Sequence, residues 1–198
     1  MKKSIRITLL FLIFLVTSCN QVKKEDNFNK IDKSEINKQG NSKIVSLSNQ
    51  LYLLAPEFDS KNCKSFGECD CCSSNYLFLD NEIFICVDYC LDTDTYYSGK
   101  YKIENDTVNL KFNSTVIQKE YNWESETDTI NTQPKFLYKI EKCKAFKTVW
   151  TKLNCSKNNC FKKIGDETEF ASIDNKKSPE NFLNELKKEG LIEKLNLK

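Results

Sequence analysis

The chain has 198 residues and a formal net charge of +2, from 30 lysine and arginine side chains against 28 aspartate and glutamate side chains. It contains no histidine, and this absence excludes Ser–His and Cys–His nucleophilic catalysis and zinc binding through imidazole. Arg6 is its one arginine. Lys2, Lys3 and Arg6 precede an apolar N-terminal run. Without these three residues the chain has 27 basic and 28 acidic side chains, so the charge balance predicts no nucleic-acid partner.

The N-terminus predicts an export signal that ends in a lipidated cysteine. Its three basic residues precede an apolar run over residues 7–16, which is too short to span a bilayer, since a helix needs about 20 apolar residues to do so. A basic start followed by a short apolar run is typical of a secretory signal. Residues 15–19 read Leu-Val-Thr-Ser-Cys and resemble the lipobox of bacterial lipoproteins. The resemblance implies cleavage after residues 1–18 and acyl chains on Cys19 that anchor the protein to a membrane. An ordinary signal peptide is the alternative.

Residues 19–44 predict a lipidated cysteine followed by a flexible polar tether. Asn20 follows Cys19, whereas an aspartate at that position often marks inner-membrane retention in bacterial lipoproteins, so we expect the outer membrane. Residues 24–26, Lys-Glu-Asp, resemble the short signal that sends some Bacteroidetes lipoproteins to the cell surface, but they fit a solvated tether equally well. The periplasmic and surface faces therefore both stay open.

Residues 45–198 predict a single domain that is mainly β. Short apolar runs alternate with turn-forming residues, as expected for consecutive antiparallel strands. The first of these runs cover residues 51–54, 76–79, 83–89 and 101–112.

The last of these runs predicts a β-hairpin. With an Asn-Asp turn at residues 105–106, Ile103 lies opposite Val108 and Tyr101 lies opposite Leu110. All four apolar side chains then share one face, and polar side chains occupy the other, so turn chemistry and alternation agree.

The whole pattern predicts an antiparallel meander, either closed into a small barrel or folded as a sandwich. Its spacing resembles that of the lipocalin-like small barrels common among Bacteroidetes lipoproteins, although no defining motif is present. Further strands fit residues 116–123, 136–140 and 146–153.

One C-terminal helix is predicted over residues 179–189, packed on the sheet. Ser178 is a suitable N-cap, and a proline follows it at the first helical position. Phe182, Leu183 and Leu186 line one face of the helix, and Gly190 can end it.

The cysteines predict a disulfide framework, because an exported chain with this cysteine density usually forms disulfides. If the turn at residues 80–81 has two residues, Cys71 lies opposite Cys90, so we predict a bridge from Cys71 or Cys72 to Cys90. Cys155 and Cys160 bracket a turn-like loop and are predicted to bridge it. Since nine cysteines besides Cys19 are an odd number, at least one thiol is free, intermolecular or otherwise bound. Besides Cys19, the cysteines stand at positions 63, 69, 71, 72, 86, 90, 143, 155 and 160.

Two other uses of the cysteines stay open. Cys69, Cys71 and Cys72 crowd together, and thiolate sites favour soft ions such as Cu(I) or Zn(II). No histidine is present to complete such a site, so we predict no metal site. Thiol–disulfide exchange is the second alternative.

The remaining candidates have ordinary structural interpretations. Asp88, Asp92 and Asp94 cluster, but a calcium loop also needs a glycine and a later glutamate, so a solvated turn is expected. The 8 tyrosines, 13 phenylalanines and 2 tryptophans indicate a core more than a ligand cavity.

The sequence therefore predicts a lipid-anchored envelope protein whose small β-domain is a non-catalytic binding module. Its expected partners are the membrane, through the anchor, and either a small apolar ligand or an envelope protein; no cofactor motif is found. The alternatives are a carboxylate-dependent hydrolase of envelope glycans and a thiol- or metal-handling protein.

Overall fold

The computed structural model describes residue 44 and residues 46–67, 73–80, 82–130, 132–155, 159–165 and 168–197. The predicted signal peptide, Cys19 and the predicted tether up to residue 43 lie outside the described residues. Ile44, the last predicted tether residue, is buried in the core, so the folded domain includes it.

Short strands make up most of the described domain. In chain order they are β1 (Gln50–Ala55), β2 (Glu57–Asp59), β3 (Lys64–Phe66), β4 (Ser73–Phe78), β5 (Ile83–Cys90), β6 (Thr93–Glu104), β7 (Thr107–Tyr121), β8 (Phe136–Lys142), β9 (Lys147–Lys152), β10 (Phe161–Ile164) and β11 (Glu169–Ile173). The described helices are α1 (Glu124–Thr127), α2 (Pro179–Lys188) and α3 (Leu191–Lys194).

Eight strands of the described domain close an antiparallel β-barrel. They pair in the order β6-β5-β4-β1-β11-β10-β9-β7, and β7 pairs back with β6 to complete the ring. This confirms the prediction of a mainly β fold and decides between barrel and sandwich. β8 lies outside the ring, because β7 pairs with β9 along Thr107–Lys111 and with β8 along Thr115–Tyr121.

The hairpin between β6 and β7 forms with the predicted register. Ile103 pairs with Val108 and Tyr101 pairs with Leu110, and Asn105 takes the positive φ of 55° that the tight turn requires. The separate strand predicted at residues 116–123 is wrong, since this segment up to Tyr121 continues β7.

The turn between β4 and β5 differs from its prediction. The Leu79 amide donates to the Ile83 carbonyl at 2.8 Å, so three residues, not two, separate the paired positions. Ser73 therefore pairs with Tyr89, which is one residue away from the predicted register.

An aromatic core fills much of the barrel. Trp150 on β9 is fully buried, and its ring lies 4.7–6.3 Å, centroid to centroid, from the rings of Tyr52, Tyr76, Phe78 and Phe161. These residues come from β1, β4 and β10, so distant parts of the sequence meet in one cluster. Edge-to-face aromatic pairs of this kind add about 0.5–1.5 kcal/mol each to burial.

The C-terminal helix covers part of the outer surface of the barrel, as predicted. Ser178 Oγ accepts a hydrogen bond from the Asn181 amide at 3.1 Å and caps α2, which ends at Lys188. Phe182 and Leu186 pack with outward-facing residues of the barrel strands, and so does Leu191 on the unpredicted helix α3. In the described part of the chain, no helix has the length and apolarity needed to span a membrane.

The β2–β3 hairpin packs on the outer side of β1 and β11. Ser65 on β3 is buried there, and its hydroxyl donates to the Leu53 carbonyl at 2.7 Å. The ring of Phe58 stacks on that of Phe170 at 5.2 Å. The turn of this hairpin reaches Cys63, just before β3.

Candidate functional site

The barrel interior is apolar at the aromatic core and becomes polar toward one end. Along β5, Phe84 and Cys86 point into the aromatic core, and the next inward residues, Asp88 and Cys90, line an open cavity. The period of two along a strand produces this series, because every second side chain faces inward.

The cavity at this end, here called the barrel mouth, has a volume of about 340 Å³. A volume of this size suits a small organic molecule. Residues from seven barrel strands and from the segment before β9 line it: Ser73, Ser74, Tyr76, Asp88, Tyr89, Cys90, Thr95, Tyr97, Phe112, Phe146, Thr148, Lys163 and Glu169.

Aromatic rings form one wall of the barrel mouth. Phe146 stacks on Phe112 with ring centroids 4.1 Å apart, and the ring of Tyr97 meets both edge-on, at 5.7 Å and 6.1 Å. Phe112 is buried, whereas Phe146 is 44% exposed at the rim. The Phe112 amide donates to the Phe146 carbonyl at 2.9 Å, so the rim residue is held to β7 by its backbone as well as its ring.

Asp88 is the central polar group of the barrel mouth. Its carboxylate accepts a hydrogen bond from the Ser74 hydroxyl across the β4–β5 pair, and another from the Cys86 thiol at 3.5 Å. Because two neighbours already donate to one carboxylate oxygen, Oδ1, the other oxygen is the natural acceptor for an incoming donor.

A second carboxylate lines the cavity but carries a partner. Glu169 on β11 lies directly opposite Lys163 on β10 and forms an ion pair with it. Because the charges of Lys163 and Glu169 cancel, the carboxylate of Asp88 gives the barrel mouth a net negative charge.

Burial and charge both act on the tyrosines of the barrel mouth. Burial, and then the nearby Asp88 carboxylate, raise the pKa of Tyr97 to about 12. Burial, together with Cys86 and Asp88, raises the pKa of Tyr76 well above its ordinary value. Both hydroxyls are therefore neutral at physiological pH and can donate hydrogen bonds.

An irregularity in the β6–β7 pairing shapes the wall. Tyr97 pairs with Val116, but Gly99 pairs with Phe112, so β7 has two more residues than β6 between these pairs. A Cβ atom on Gly99 would lie 2.3 Å from the Lys111 carbonyl oxygen and 2.6 Å from the Phe84 ring. Glycine is thus required for the close approach that brings these two strands together around the core.

The disulfide framework differs from its prediction. Cys63 bonds to Cys155, with Cα atoms 6.0 Å apart, and Cys160 is a free, buried thiol. The predicted Cys155–Cys160 bridge is therefore wrong in this structure, because the β2–β3 hairpin brings Cys63 to the end of β9. Because Cys63 and Cys155 are 92 residues apart in the sequence, no local pattern predicts this contact.

The first predicted bridge is only partly described. Cys90 is disulfide-bonded, while Cys71 and Cys72 lie outside the described residues, so the pairing stays a prediction. The two-residue turn that placed Cys71 opposite Cys90 is wrong, as the shifted β4–β5 register shows. The alternative metal cluster, which also includes Cys69, lies outside the described residues too.

Most residues of the barrel mouth were missed by the sequence analysis. Asp88 was expected in a solvated turn with Asp92 and Asp94, but its side chain faces the cavity. A usable signal was the inward series of β5, in which Asp88 follows Phe84 and Cys86 at a spacing of two. Such a change along one strand face indicates where a barrel interior opens.

Comparisons with known proteins give one structural likeness. No family model matches the chain, and no curated protein matches it. Among solved structures, the chain is similar to a streptavidin-like protein from Bacteroides eggerthii, with a TM-score of 0.49 and 10% sequence identity. The match covers 69% of this chain and 86% of that protein.

Proposed function

We propose that this chain is a lipid-anchored envelope protein whose barrel mouth binds a small organic molecule. The observation that carries the binding proposal is the barrel mouth itself, where the filled aromatic core ends and the closed ring of strands leaves an open cavity. Aromatic walls with a few convergent polar groups are typical of small-molecule sites.

The charges at the barrel mouth favour a particular kind of ligand. Asp88 contributes a carboxylate, while Lys163 and Glu169 neutralise each other. The rings of Tyr97, Phe112 and Phe146 suit a flat apolar body. We infer a ligand that combines such a body with a hydrogen-bond donor, preferably a cationic amine, since charge-assisted hydrogen bonds are the stronger ones.

Two probes of matched shape and opposite charge test this inference. Tryptamine and indole-3-acetate are titrated into the purified domain by calorimetry. We expect tryptamine to bind and indole-3-acetate to bind at least about tenfold more weakly, because a hydrogen bond to a charged group contributes about 1.5–3 kcal/mol.

Matched variants locate the binding. Asp88→Asn should weaken tryptamine binding by about tenfold or more, whereas Asp92→Asn, an exposed aspartate outside the barrel mouth, should leave it unchanged. Equal binding of both probes, equal effects of both variants, or no saturable binding of tryptamine would contradict the proposal.

The lipid anchor is tested separately on the full chain. Cys19→Ala should move the protein from the membrane fraction to the soluble fraction, because acyl chains contribute about 0.8 kcal/mol for each buried CH₂ group. An N-terminal sequence that begins at Met1, or membrane retention of the Cys19→Ala protein, overturns this part of the proposal.

A hydrolase is the second candidate, and one observation favours it. Asp88 and Glu169 are two carboxylates that line the same cavity, as acid–base cleavage of glycosides requires. Turnover of envelope glycan fragments that is lost in both Asp88→Asn and Glu169→Gln would support this activity over simple binding.

A further inference from the structure

A cluster of three sulfur atoms lies outside the barrel mouth. The Sγ atoms of Cys63, Cys155 and Cys160 all lie within 4.8 Å of one another. Cys63 and Cys155 are bonded, and Cys160 retains its thiol. The Cys160 thiol also lies 3.3 Å from the Cys63 carbonyl oxygen.

Separate segments hold the three residues of this sulfur cluster. Cys63 ends the turn of the β2–β3 hairpin, Cys155 follows β9, and Cys160 immediately precedes β10. The Leu153 amide donates to the Cys160 carbonyl at 2.7 Å, which holds the segments of Cys155 and Cys160 side by side. A free thiol therefore lies next to a disulfide in a defined arrangement.

We propose that the sulfur cluster is a thiol–disulfide exchange site in which Cys160 attacks the Cys63–Cys155 bond. The Cys160 thiolate bonds to Sγ of Cys155 and breaks the Cys63–Cys155 bond. The electron pair leaves on Sγ of Cys63, which takes up the proton that Cys160 released. No net oxidation occurs, so no external oxidant or reductant is needed.

Cys155 is the expected target because of loop closure. Four residues separate it from Cys160, whereas the Cys63–Cys155 bond spans an interval of 92 residues. A short loop costs less entropy to close than a long one, so the Cys155–Cys160 product is accessible. Its formation releases the β2–β3 hairpin from its covalent link to the end of β9.

The surroundings of Cys160 set the rate of exchange. Burial raises the pKa of Cys160 to about 11, and Lys152 on β9 acts in the opposite direction. Tyr52 on β1 stays neutral because burial raises its pKa, and the bonded Cys63 and Cys155 do not titrate. Only the thiolate attacks, and it makes up about one molecule in 10,000 at pH 7 and about one in 100 at pH 9.

Peptide mapping reads out the exchange directly. Cleavage after lysine places the three cysteines on three different peptides, residues 62–64, 153–157 and 158–162. The full chain is incubated at pH 7 or pH 9 without oxidant, quenched with acid and analysed by mass spectrometry. We expect a link between the second and third peptides to form about 100-fold faster at pH 9, with the first peptide becoming alkylatable.

Variants separate this proposal from simple misfolding or intermolecular exchange. Cys160→Ser should abolish the new link, whereas Cys143→Ser, which removes a half-buried thiol outside the cluster, should not change its rate. Oxidised Cys63→Ser should contain the Cys155–Cys160 link. A wild-type chain that keeps only the Cys63–Cys155 link at pH 9, or an exchange rate that rises with protein concentration, overturns the proposal even where a variant does not fold.

Discussion

The ring of Phe146 stacks on the ring of Phe112 at the barrel mouth, with centroids 4.1 Å apart and planes 13° apart. Phe112 is 3% exposed and belongs to the aromatic core, while Phe146 is 44% exposed and lies at the rim. One stacked pair thus joins the core of the barrel to the surface that a ligand would meet.

The two rings should respond differently to truncation. Phe112→Ala should lower the free energy of unfolding by about 3–5 kcal/mol, because it opens a cavity in the core. Phe146→Ala should cost about 1 kcal/mol or less, but should weaken tryptamine binding about 3- to 10-fold by removing an aromatic contact. Urea unfolding and calorimetry measure the two effects. Phe66→Ala, which truncates an equally exposed ring on β3, serves as the control and should leave binding unchanged.

Gly99 and Gly165 form a matched pair for testing the irregularity in the β6–β7 pairing. Gly99→Ala should destabilise the fold by about 1–3 kcal/mol, because the added methyl group meets the Lys111 carbonyl and the Phe84 ring. Gly165→Ala adds the same group at a position where no atom of the described residues lies within 4 Å of it, so its effect should be small. Equal midpoints of thermal unfolding for the two variants would contradict the claim that the close approach at Gly99 requires glycine.

The cap of α2 should contribute to stability through a single hydrogen bond. Ser178→Ala removes the acceptor for the Asn181 amide and should cost about 0.5–2 kcal/mol. Ser178→Asn supplies another good N-cap and should restore most of the loss. Denaturant unfolding followed by far-ultraviolet circular dichroism measures both, and a failure of the asparagine variant to recover would indicate a role for Ser178 other than capping.

Stability should fall in alkaline solution as tyrosines ionise. The pKa of Tyr97 is about 12 in the folded chain and 10.0 for an unperturbed tyrosine, so its contribution is complete below pH 10. Between pH 10 and pH 12 the unfolded chain loses this proton first, and the contribution decreases by up to about 1.4 kcal/mol per pH unit. Tyr97→Phe should show a shallower loss over that range in urea unfolding. An unchanged pH dependence would mean that Tyr97 ionises equally in both states.

Local patterns in the sequence determined the elements that depend on neighbouring residues. The β6–β7 turn follows from Asn105 and Asp106 between alternating apolar residues, and α2 follows from Ser178 before a proline. In both cases the deciding hydrogen bonds and backbone angles lie within a few residues.

The sequence could not distinguish the two faces of a barrel strand. Ile85 and Val87 on β5 are as apolar as Phe84, yet they face α2 and α3 instead of the barrel interior. Because the helices cover the outer face, the strand is apolar on both sides and loses the alternation that reveals a direction. The change from Phe84 to Asp88 along one face of β5 was visible in the sequence, but that this face points into the barrel was not.

By itself, then, the sequence determined a mainly β domain with a capped C-terminal helix, and it excluded catalysis that needs histidine. Only the tertiary structure decided that the strands close into a ring, that Cys63 meets Cys155, and that Asp88 shares a cavity with Phe146. The physical reason is range, since the β6–β7 ring closure and the disulfide depend on contacts between distant segments, to which short-range propensities contribute nothing.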